Sequence, residues 1–149
     1  MNALELLRKD HSFVRDLFNQ FEHITAPEKR ADKFAQIRRE LYLHCRAEEE
    51  IFYPALKAMD GDGPRLVLAA IKEHQEIDDL LMRASRLKLH NKGFDSQFET
   101  LTELVDTHLA QEEGEIFRFA EENCSPKQLE EIGAEIDARR RTLDQEMAA

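Results

Sequence analysis

Apolar residues recur along this chain at intervals of three and four, the spacing of one face of an α-helix. The first stripe is Leu4, Leu7, His11, Val14, Phe18 and Phe21, which predicts a helix from about Ala3 to about Glu22. Thr25, Ala26 and Pro27 form a turn and a cap, with proline in the first turn of a second helix that reaches about Met59. Its stripe is Phe34, Ile37, Leu41, His44, Glu48, Ile51 and Ala55. Asp60-Gly61-Asp62-Gly63-Pro64 is the clearest break in the pattern. A third helix, about Pro64 to Leu89, carries Val67, Ile71, His74, Ile77 or Asp78, Leu81 and Ala84. Asn91-Lys92-Gly93 supplies the next turn, with Gly93 expected as a C-terminal cap. A fourth helix, about Asp95 to Glu122, carries Phe98, Leu101, Val105, His108, Glu112, Ile116 and Phe119. Ser125-x-x-Gln128 fits a capping box and opens a last, shorter helix with Leu129, Ile132, Ile136, Leu143 and Met147 on one side. Four long helices with short connections predict an all-α, up-down-up-down four-helix bundle over residues 1–124. The helix in 125–149 is expected to pack on that bundle, with a dimer contact as the second possibility, so the chain is a monomer or a homodimer.

Polar residues interrupt the stripes where core side chains belong. His44 and Glu48 stand four apart, as do His108 and Glu112, so each pair shares a helix face and aims an imidazole and a carboxylate inward. His11 and His74 sit on the other two stripes. The halves repeat: Lys9-Asp10-His11 matches Lys72-Glu73-His74, with His11 to His74 spanning 63 residues and His44 to His108 spanning 64. Each half is a helical hairpin bearing His on its first helix and His-x-x-x-Glu on its second. From His11 to Ala26 is 15 residues and from there to His44 is 18. At ~1.5 Å per residue those legs differ by only ~5 Å, so all four histidines can lie at one level.

Burying four imidazoles and two carboxylates in an apolar core is costly unless something there binds them. Imidazole suits iron, zinc, copper or nickel, and carboxylates can bridge two cations. His11, His44, Glu48, His74, His108 and Glu112 therefore form the candidate ligand set of a two-metal site. With six-coordinate metals, bridging glutamates and an oxo or hydroxo bridge, about two coordination positions remain for a small ligand.

Composition narrows the partners. The 149 residues are 42% hydrophobic and 35% charged, with a net charge of −10, which argues against nucleic acid and anionic membrane. No apolar run approaches the ~20 residues that span a bilayer. Early charges at Glu5, Arg8, Lys9 and Asp10 are unlike a signal peptide, so a cytoplasmic location is expected. Cys45 and Cys124 are too few for a disulfide framework, and Cys45 is expected as a helix-interface residue rather than a ligand.

The His and His-x-x-x-Glu set, with Glu48-Glu49 followed by Ile51-Phe52-Tyr53-Pro54, resembles the hemerythrin-like family, the HHE cation-binding domain. The resemblance covers about residues 3–122 and implies two iron ions, free of haem, held by His11, His44, Glu48, His74, His108 and Glu112. Oxygen-carrying members bear a second histidine four residues after the one on the third helix. Here that position is Asp78, which argues against reversible oxygen carriage. The implied function is binding or sensing of oxygen, nitric oxide or peroxide. A di-iron enzyme reducing peroxide or nitric oxide is the alternative, so enzymatic activity stays open. Iron storage or delivery ranks lower, because ferritin-type bundles use Glu-x-x-His and no histidine here follows a glutamate by three.

Ordinary structural roles are expected for the other residues of note. Asp78 is expected outside the ligand set, and Asp10 and Glu73 as exposed helix carboxylates rather than acceptors for neighbouring imidazoles. His23 and His90 are expected on the surface, Arg139-Arg140-Arg141 on a solvated face, and Phe13, Tyr42, Phe52 and Phe117 in ordinary packing.

Overall fold

The structure, a computed structural model, describes residues 1–89 and 91–148. Helix α1 is Ala3–Glu22, capped by Asn2, whose side chain accepts from the Glu5 N–H. The second rod is α2 (Pro27–Ala47), a π-helical turn (Glu48–Phe52) and α3 (Tyr53–Lys57). The third is α4, Gly63–Ser85, which stops four residues short of the expected end. The fourth is α5 (Lys92–Gln111), a second π turn (Glu112–Ile116) and α6 (Phe117–Asn123). Asn91 is the N-cap of α5, accepting from the Gly93 N–H at 2.7 Å, so Gly93 opens a helix rather than closing one. The Ser125–Gln128 capping box forms, with both reciprocal bonds present. It starts α7, Pro126–Ala148, which at 23 residues is as long as α4 and not the shorter helix expected.

The four rods make the bundle and α7 lies along α1, α2 and the first π turn. Leu129, Ile132, Ile136 and Leu143 bury α7 against it, whereas Met147 is exposed. At Gly133 the contact is close: a Cβ there would come within 2.8 Å of backbone atoms of Met1, Asn2 and Ala3. That approach requires glycine.

Apolar packing falls into two clusters. One gathers Leu4, Leu7, Phe52, Tyr53, Leu56, Val67 and Phe117 with Leu129, Ile132 and Ile136 of α7. The other gathers Val14, Phe18, Phe21, Phe34, Ile37, Leu81, Phe94 and Phe98. Its aromatic rings meet edge-on and offset, such as Phe34 on Phe94 at 5.2 Å, a geometry worth ~0.5–1.5 kcal/mol per pair beyond burial. The polar stripe positions lie between the two clusters. Among the described residues, no helix is long and apolar enough to cross a membrane.

The π turns move the apolar face. Tyr53 N–H bonds back to Glu48 O, and Phe117 N–H to Glu112 O, each ring one residue wider than an α turn. Ile51 and Ala55, expected in the core, are only partly buried, while Phe52, Tyr53 and Leu56 take the interior.

Candidate metal centre

His11, His44, Glu48, His74, His108 and Glu112 converge at one level of the bundle, none more than 2% exposed. Among the described residues no other acid, base or amide is buried as deeply.

Each ring is held from outside by a carboxylate on another rod. His11 Nδ1 lies 3.1 Å from Glu113, His44 Nδ1 3.3 Å from Asp10, His74 Nδ1 2.8 Å from Glu49 and His108 Nδ1 3.0 Å from Glu73. An ionised carboxylate only accepts, so each Nδ1 carries the hydrogen and donates. That leaves every Nε2 facing inward, with its lone pair exposed to the centre unless it too binds a proton.

The inward atoms form two overlapping groups, His11–His44–Glu48–Glu112 and Glu48–His74–His108–Glu112, each with its ligand atoms within 4.8 Å of one another. Both glutamates belong to both groups. Among these inward atoms two are buried without a hydrogen bond, His44 Nε2 and Glu48 Oε2. They belong to the same side chains that approach at 3.1 Å through the other carboxylate oxygen, Glu48 Oε1. His74 Nε2 and His108 Nε2 face each other at 3.0 Å. Two such lone pairs need a proton or a cation between them. Orphaned nitrogen and oxygen atoms with paired lone pairs are a donor set suited to cations that take imidazole and carboxylate together.

Beside the glutamates, one pair of equivalent positions differs by a hydroxyl. Tyr53 and Phe117 are equivalent in the repeat, and both are fully buried. The Tyr53 hydroxyl donates to Glu112 Oε2 and lies 3.3 Å from both Glu48 Oε1 and His74 Nε2. Phe117 has no hydroxyl and stacks on His11, centroids 5.5 Å apart. Burial, then the charges of Glu112 and Glu48, push the Tyr53 phenol well above its ordinary pKa, so it remains a proton-bearing donor. Burial also raises Glu112, and the adjacent Glu48 adds to it. For Glu48, burial is outweighed by His44 and by the adjoining Glu112 and His74 side chains, which hold it well below the usual carboxylate range. Burial opposes charge on His44, yet Glu48 and Asp10 outweigh it and raise the ring well above the histidine norm. At His74, burial is outweighed in the same way by Cys45, Glu48 and Glu49.

Several expectations for the surrounding residues change. Asp10 and Glu73 are not free surface acids: they hold His44 and His108, with side chains 17% and 24% exposed. Glu49 and Glu113, unassigned from sequence, hold the other two rings, and their only signal was adjacency to Glu48 and Glu112. Arg139 and Arg140 are not simply solvated. Arg139 pairs with Glu50, and Arg140 with Asp10 and Glu40; only Arg141 is exposed on its own helix with Asp137. Asp78 turns away from the centre to Arg46 at 3.2 Å and is half-exposed. Burial raises its carboxyl, against the lowering effect of Arg46. His23 is exposed and Cys45 is buried. Phe13 and Tyr42 are substantially exposed, while Phe52 and Phe117 are buried around the centre. His90 lies outside the described residues.

The chain is similar to several known proteins. A DNA nickase of Nostoc sp. is 29% identical over 147 residues, 99% of this chain but 41% of that protein, so the chain spans about two fifths of that relative's length. The Mycobacterium tuberculosis protein Rv2633c is 25% identical over 93% of this chain and 85% of its own length. The crystal structure of a hemerythrin HHE cation-binding domain-containing protein, the Rv2633c homologue from Mycobacterium kansasii, superposes with a TM-score of 0.86. It is 26% identical, and the match covers 95% of this chain and 86% of that one. The family model for the hemerythrin HHE cation-binding domain matches residues 2–120, which takes in all six buried polar residues. With bundle, repeat and buried histidine–glutamate clusters in agreement, the chain belongs to the hemerythrin HHE cation-binding family.

Proposed function

We propose that this protein holds two iron ions and binds or senses oxygen, nitric oxide or peroxide at them. His11 and His44 would serve one ion, His74 and His108 the other, and Glu48 and Glu112 would bridge both. The observation that carries this is the overlap of two four-residue groups that share both glutamates. A single-metal site has no use for that sharing.

Bound iron would supply Lewis acidity and one-electron chemistry for a small ligand. The protein's part is to orient and exclude. The four outer carboxylates fix the ring tautomers, Phe52 and Phe117 keep bulk water out, and Tyr53 keeps a proton at its hydroxyl beside Glu112. That proton favours a second reading, reduction of peroxide or nitric oxide, because such chemistry consumes protons at the ligand.

The test is anaerobic reconstitution with ferrous ion, metal analysis, and visible spectra before and after oxygen, peroxide and nitric oxide. About two irons per chain and a ligand-dependent spectrum are expected. One tightly held zinc with no iron uptake would overturn the proposal. Catalytic turnover, lost in Glu48→Ala and Glu112→Ala, would decide for the enzyme.

A further inference from the structure

Helix α7 lies beyond the matched residues 2–120, yet it reaches the centre. Arg140 Nη1 lies 3.2 Å from Asp10 Oδ2, the same oxygen that accepts from His44 Nδ1 at 3.3 Å. The other guanidinium nitrogen, Nη2, binds Glu40 on α2. One planar fork therefore ties α1 to α2 beside His44, a geometry a lysine cannot reproduce. The three side chains are largely shielded, with 22% of Arg140, 17% of Asp10 and 14% of Glu40 exposed.

The pattern recurs, unevenly. Arg15 grips Glu113 with both terminal nitrogens, and Glu113 holds His11. Arg46 pairs with Glu49, which holds His74, and it divides itself with Asp78. Glu73, which holds His108, pairs with no cation among the described residues. Both rings of the first group, His11 and His44, are thus backed by a carboxylate that an arginine immobilises. In the second group only His74 is. Helix α7 packs chiefly on the first hairpin, which supplies His11, His44 and Glu48.

We infer that α7 is part of the metal centre: through Arg140, Asp10 is fixed as a positioning residue for His44, and this makes the His11/His44 position the tighter of the two. The inference rests on the metal reading proposed above. Groups that orient a ligating histidine contribute roughly 10–100-fold in metal affinity.

The test titrates the full chain with ferrous ion under anaerobic conditions against a chromogenic chelator. In Arg140→Gln, affinity for one of the two ions falls about tenfold and the other stays unchanged. Arg140→Lys, which keeps the charge and guards against loss of fold, loses part of that. Arg141→Gln changes neither. By nitrogen NMR of the metal-free protein, the His44 Nδ1–H loses protection from exchange in Arg140→Gln, while that of His108 keeps it. Unchanged affinities in Arg140→Gln overturn the inference. So does an equal fall at both positions that tracks metal-free urea stability, since that marks a simple brace. Wild-type protein that takes up no ferrous ion instead overturns the di-iron proposal itself.

Discussion

Replacing Tyr53 by phenylalanine isolates one chemical difference between the two halves, the hydroxyl that Phe117 lacks. The equivalent Phe117 shows that a bare ring fits this place in the fold, so the substitution removes a hydroxyl without reshaping the core. That hydroxyl donates to a buried carboxylate, Glu112, and is within 3.3 Å of Glu48 and His74. A hydrogen bond to a charged acceptor contributes about 1.5–3 kcal/mol net. Without it, Glu112 Oε2 retains His108 Nε2 at 3.7 Å, too far to replace the bond. At about 2–4 °C per kcal/mol for a chain of this size, metal-free Tyr53→Phe melts about 3–12 °C below wild type. The assay is thermal unfolding by circular dichroism in chelator, with urea unfolding as a check. Metal loading narrows the gap, because a cation then satisfies the carboxylate. Metal-free Tyr53→Phe protein that melts at or above wild type, with the same helical content, refutes the reasoning.

Three further outcomes follow from the geometry. His44 and His74 have folded pKa values well above the ordinary histidine value; their protonation stabilises the metal-free fold fully below about pH 6.5 and the contribution is lost as pH rises through the folded values. Glu112, raised in the fold, adds a loss of the same sign from about pH 4.5 upward. Urea midpoints of the metal-free chain therefore fall from about pH 6 to about pH 9, while those of the loaded chain rise, because ligation needs unprotonated rings; parallel profiles count against this. Asp78→Ala changes stability by less than about 1 kcal/mol, as expected for a half-exposed ion pair, and leaves metal stoichiometry intact; loss of one metal equivalent would place Asp78 among the ligands. Gly133→Ala sets a Cβ against the N-terminal backbone and costs about 1–3 kcal/mol in urea unfolding. Gly114→Ala meets nothing within 4 Å and gains about 0.5–1 kcal/mol; the reverse order of the two glycine variants would contradict the packing of α7.

What the sequence made legible follows from the reach of periodicity. His11, His44, Glu48, His74, His108 and Glu112 stood out because each replaces an apolar residue on a stripe whose period is local. Glu49, Glu113, Asp10 and Glu73 did not, because their partners sit on other rods and spacing along one helix says nothing of what lies across from it. Tyr53 escaped for a different reason. A regular α-helix continues the stripe to Ile51 and Ala55, and only the wider turn at Glu48–Phe52 brings Tyr53 inward. Arg140 belongs to the same class as the outer acids: three arginines in a row read as a surface, and only the docking of α7 separates Arg140 from Arg141.

The depth of the six inner residues, none more than 2% exposed, also sets a clock. On the proposed function, a diatomic molecule or peroxide would meet closed packing and would pass only when side chains or a rod open. The step that admits a ligand then belongs to the protein and not to the ligand. Association rates for chemically different small molecules should level off at one shared ceiling as concentration rises. A centre buried this way would discriminate by how often the bundle opens as well as by the preference of any metal it holds.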